Sequence, residues 1–172
     1  MSDDHRHYLV FEQGVGGGVV NLVLNGIIAW ALFRHLVAVP LWGQESIAGD
    51  TFATCFLLPF ITCLIVTGLA RREVARGRFQ APDWRRASHP ILGRLPASRF
   101  LRGVAFGAAC LVLFAPLTVV FLSAAGVHQI HFWPFVIFKA IYAGLLGAVV
   151  TPIIALCALG DLTSQAVPSR AA

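Results

Sequence analysis

Charge is scarce in this chain. Only 12% of its 172 residues are Asp, Glu, Lys or Arg, about half the usual share, while 58% are hydrophobic. That balance excludes an ordinary soluble domain, which needs a charged surface, and a mean hydropathy of +0.77 agrees. Lysine occurs once, as Lys139. Cysteine is limited to Cys55, Cys63, Cys110 and Cys157, all inside apolar runs and with no CxxC among them. This excludes a loop disulfide framework or a zinc knuckle and leaves four thiols as small packing residues. The first dozen residues hold three acids and one arginine, and no A-x-A cleavage site follows. A cleaved secretory leader is therefore not expected, and the first apolar run is read as a retained membrane helix.

What the chain does have is long uncharged stretches. Residues 14–33 and 51–70 each run 20 residues without a charge, enough at 1.5 Å per residue to cross about 30 Å of hydrocarbon. Two more apolar runs occupy 103–125 and 134–160. The expected fold is all-α, an integral membrane bundle of four transmembrane helices. Its segments are a cytoplasmic N-terminal arm (1–13), a first transmembrane hairpin (14–70), a basic loop (71–102), a second hairpin (103–160) and a disordered tail (161–172). Each hairpin's second helix begins near an ionisable group, Asp50 or Lys139, and carries a proline further in, Pro59 or Pro152. Parallel halves of that kind would be related by an axis along the membrane normal.

The basic charge sits in one place. Arg71, Arg72, Arg76, Arg78, Arg85, Arg86, Arg94, Arg99 and Arg102 face only Glu73 and Asp83, so this loop carries 9 − 2 = +7 against +5 for the whole chain. The other connections, 36–50 and 126–133, contain no Lys or Arg. The positive-inside bias then puts the arginine loop and both termini in the cytoplasm, across a cell inner membrane. The partner that suits these arginines is the anionic inner leaflet, at about 1 kcal/mol per basic residue near the headgroups. Nucleic acid is not expected, because no folded basic face exists to hold it.

Few groups remain for chemistry. Asn21 and Asn25 share a helical face with Gly14 and Gly18. They are either hydrogen-bonding glue between helices or the lining of a polar path. Asp50 is either the N-cap of the second span or a titratable group at its outer mouth. Lys139 either snorkels to the outer headgroups or pairs with Asp50 at comparable depth. His128 and His131 have a spacing used in metal sites, but that spacing is common and makes them weak candidates. No activated nucleophile, carboxylate pair or metal motif is evident, so neither an enzyme nor a cofactor is expected.

The leading functional expectation is a permease-like component for a small polar solute or ion, acting as a homo-oligomer. Asn21, Asn25, Asp50 and Lys139 would line its path, and Asp50→Asn is expected to abolish transport without lowering abundance. The alternative is a non-transporting accessory or assembly subunit of a larger membrane complex. A weaker alternative is an outer-face sensor or metal binder using His128, His131 and Glu45.

Overall fold

The structure, a computed structural model, describes residues 8–76, 92–96 and 98–165. Its order is a π-helical lead-in Tyr8–Gly16, α1 (Gly17–Phe33), β1 (Ala38–Pro40), α2 (Ile47–Ala75), a 3-10 turn Leu92–Arg94, α3 (Arg99–Ala124), β2 (Gln129–His131) and α4 (Phe132–Gln165). Among the described residues four helices are long and apolar enough to cross a membrane: Phe11–Phe33, Ile47–Ala70, Arg99–Ala124 and Phe132–Asp161. Helix is the expected form, since a chain segment in hydrocarbon must satisfy its own backbone hydrogen bonds. α2, α3 and α4 each begin before their uncharged stretch, and α2 and α4 also run past it. Asp50, Arg102 and Asp161 therefore lie within helices, where the sequence had placed them at loop edges. Helix continues through Gln165 into the segment expected to be a disordered tail; residues 166–172, 1–7 and the loop interior 77–91 lie outside the described residues.

Local chemistry sets the helix ends. Ser46, not Asp50, caps α2: its Oγ accepts the backbone N–H of Gly49 at 3.1 Å and donates to the Gly43 carbonyl at 2.9 Å. Asp50 comes one turn too late to cap. α3 ends at Gly126, whose φ of +72° allows the N–H groups of Val127 and Gly126 to fold back on the Leu122 and Ser123 carbonyls at 3.0 Å each. That is the glycine-closed helix end in which the last carbonyls regain donors.

The packing order departs from two closed hairpins. α1 packs on α4, α2 packs on α3, and α2 also packs on α4, whereas the sequence neighbours α1 and α2 make little contact. Exchanging the two halves maps the α1–α4 interface onto the α3–α2 interface. The strands complete this relation, because β1 and β2 pair antiparallel with Val39 opposite Ile130. The two connections therefore form a small ladder across one end of the bundle, called here the strand end. The opposite end carries the arginine-rich connection between α2 and α3.

Small residues allow close approach at both outer interfaces. A Cβ on Gly107 of α3 would lie 2.8 Å from the Phe56 carbonyl oxygen of α2, and one on Gly147 of α4 would lie 2.7 Å from the Asn21 amide nitrogen of α1. One apolar core fills the space between α2, α3 and α4, with Leu58, Val66, Ala115, Leu146, Val150 and Ile154 among its members. A second lies under the ladder, around Phe33, Val39, Ile47, Leu122 and Phe135. Pro59, Pro116 and Pro152 fall inside α2, α3 and α4. Each removes a backbone donor from the ladder of its own helix.

Candidate functional site: two buried ion pairs

The fourth residue of α2 is Asp50, and Thr54 stands one turn later on the same face. Lys139, in the second turn of α4, donates to Asp50 Oδ2 and to Thr54 Oγ1. The Lys139 and Asp50 side chains are 4% and 9% exposed, so the lysine does not snorkel to a headgroup region. It is held inward by its counter-charge. Thr54 Oγ1 donates its own proton to the Asp50 carbonyl at 2.7 Å. Next to this pair, Cys55 Sγ is 3.0 Å from Tyr142 Oη, and Thr118 Oγ1 reaches the same oxygen at 3.3 Å. The result is a polar cluster at the strand end of α2, α3 and α4.

A second cluster sits at the arginine end of the same three helices. Arg102 of α3 donates through Nη1 to Asp161 of α4 and through Nη2 to Thr67 of α2 at 3.1 Å. The Arg102 side chain is fully buried and Asp161 is 13% exposed. Arg102 Nε is buried with no hydrogen-bond partner among the described residues. Arg102 therefore departs from its expected role among the lipid-facing loop arginines: it is inside the bundle because a carboxylate and a hydroxyl await it there. Arg72, Arg94 and Arg99 are exposed, as is Arg76, whose guanidinium lies 3.7 Å from Glu73. Arg71 lies in α2, and Arg78, Arg85 and Arg86 lie outside the described residues.

From Thr54 to Thr67 is 13 residues of helix, about 20 Å. The apolar core of α2, α3 and α4 occupies that interval, so the two ion pairs are separated by packed hydrocarbon.

The asparagines belong elsewhere. Asn21 donates to the Gly17 carbonyl at 2.8 Å and Asn25 to the Asn21 carbonyl at 3.0 Å, both within their own helix. Asn21 packs on Gly147, on the α1 side of α4. The four polar residues expected along one path thus divide between two interfaces, and only Asp50 and Lys139 meet. His128 and His131 are exposed, His128 in the bend before β2 and His131 at the last position of β2. Residues three apart converge on a helix, and this pair lies on none. Among the described residues no three His, Cys, Asp or Glu side chains gather at metal-binding reach. His35 and Glu45 form an exposed pair at 2.8 Å.

Sequence reasoning missed the Arg102–Asp161–Thr67 cluster and the Cys55–Tyr142 contact. The available signal was Asp161, the lone acid closing the fourth apolar run, matched by Arg102, the residue just before the third. A scan against protein-family models and searches of curated proteins and solved structures find no match to this chain.

Proposed function

We propose that the chain is a permease-like component of a cytoplasmic membrane, with α2, α3 and α4 enclosing the route of a small polar solute or ion. One observation carries this reading: the same three helices hold a buried pair of opposite charges at each end, and each pair includes a threonine of α2. Charges inside a membrane bundle are costly and concentrate where a polar species must pass. Two such pairs with apolar packing between them describe a route closed at both ends. Pro59, Pro116 and Pro152 supply one weakened backbone position on each of these helices. In the proposed orientation the arginine end faces the cytoplasm and its anionic lipids. Asn21 and Asn25 take a packing role.

The pairing changes the test. Asp50→Asn alone would strand a buried ammonium and destabilise the bundle, so the informative variant is the neutral double Asp50→Asn/Lys139→Gln. Purified protein in liposomes is expected to carry flux of at least one small ion or polar solute, and the double variant to lose it while inserting equally well. Equal flux in the two proteins would rule out the pair as part of the route.

A second reading, an accessory or assembly subunit, is favoured by the apolar packing between the two ion pairs, which would serve as helix staples. It predicts a second protein in fixed ratio after mild detergent extraction. Extraction as a defined homo-oligomer, with flux, favours the permease.

A further inference from the structure

The position of the Lys139 ammonium is described by what holds it. Asp50 Oδ2 is an acceptor. Thr54 Oγ1 could be donor or acceptor, but its single proton is committed to the Asp50 carbonyl at 2.7 Å, so it turns lone pairs toward Lys139. Both oxygens that hold the ammonium therefore act as acceptors, one of them ionised. A carboxylate and a hydroxyl of this kind make a donor set for a hard cation and a poor one for an anion. The charge count narrows the class. Asp50 brings one negative charge and Lys139 neutralises it, so a monovalent cation can replace the ammonium without changing the charge of the site. A divalent ion would leave an excess inside the bundle.

The replaced group has somewhere to go. Lys139 stands in the second turn of α4, near the strand end. Its four-carbon stem lets the ammonium swing away from Asp50 toward the strand end without unwinding helix.

We infer that Asp50 and Thr54 form a binding site for a monovalent cation, on which Lys139 is the tethered competitor. The inference rests on the permease reading for its use, but not for its test. Cation binding would supply the event that releases Lys139 and loosens the strand end of the route. The structure shows the lysine-occupied state.

Lys139 is the only lysine in the chain, so a small amine-acylating reagent reports on it directly, with the N-terminal amine as the other target. The experiment compares acylation of Lys139 by mass spectrometry in detergent-solubilised protein at equal ionic strength of sodium, potassium or choline chloride. Sodium or potassium is expected to raise modification several-fold over choline, and Thr54→Val to abolish that difference. Modification that is the same in all three salts overturns the inference. A second measurement uses Lys139→Gln, whose melting temperature should rise by about 3 °C or more in sodium or potassium relative to choline. No rise in that variant, or a rise that survives adding Asp50→Asn, also overturns it. Neither readout depends on flux. Cation dependence without flux in liposomes would remove the permease reading and leave the site standing, and flux without cation dependence would do the reverse.

Discussion

Lys139 and Asp50 stand 89 positions apart in the chain, and the fold joins them in a buried ion pair that also engages Thr54. The pair bonds α4 to α2, the two helices that together contact every other span. Losing either partner leaves a charge in low dielectric, which typically costs about 3–5 kcal/mol. Asp50→Asn and Lys139→Gln are each expected to lose that much stability in detergent. The double variant should lose much less than their sum, with a coupling of about 2 kcal/mol or more. Additive losses would mean that the two groups do not interact.

Arg102 makes the corresponding test at the other end. Arg102→Gln removes the buried cation paired with Asp161, and Asp161→Asn removes the carboxylate that balances a fully buried guanidinium. Both should lower the melting temperature by more than substitution of the exposed Arg99, a surface change of about 0.5 kcal/mol or less. Equal effects at Arg99 and Arg102 would place both among the lipid-facing arginines.

Two glycines separate packing from propensity. A methyl group at Gly107 would meet the Phe56 carbonyl at 2.8 Å, whereas one at Gly68 would meet nothing within 4 Å. Gly107→Ala should force α2 and α3 apart at about 1–3 kcal/mol. Gly68→Ala should be neutral or stabilising by up to about 1 kcal/mol. Thermal melts of both in the same detergent check the contrast.

The cap of α2 can be tested in the same way. Ser46→Ala removes the acceptor of the Gly49 N–H and should cost about 1 kcal/mol. It should leave the chemistry of Asp50 and Lys139 intact, so flux or cation response should persist in that variant while its melting point falls.

The spans were legible because hydrocarbon is an unforgiving solvent: an uncharged, apolar run of 20 residues is long enough to cross it and poorly suited to water. Asp50 and Lys139 were partly legible, since each lies near the start of a second span and their depths match. The division of the polar residues between two faces of α4 was not. It depends on how α1 and α2 are arranged around α4, and the 13 residues between them do not require neighbours to pack. Arg102 was hidden by company: among nine arginines in one stretch, only helix phase and the distant Asp161 distinguish it. The β1–β2 ladder was invisible for a different reason. Three residues are too few for an alternating pattern to stand out, Pro40 falls inside β1, and the pairing is decided by the fold that brings the two connections together.

If α2, α3 and α4 enclose a route closed at each end by an ion pair, two native thiols report on it without knowledge of the substrate. Cys55 lies beside the strand-end cluster and Cys63 beside the arginine end, and both are fully buried. The measurement is the rate at which a small membrane-impermeant thiol reagent modifies each one in sealed vesicles, in variants whose other three cysteines are replaced by alanine. A route that opens predicts that Cys55 reacts from the strand side and Cys63 from the arginine side, each far faster than the protein unfolds. If both react only at the rate of global unfolding, from either side, the route does not open and the ion pairs are staples of a static bundle.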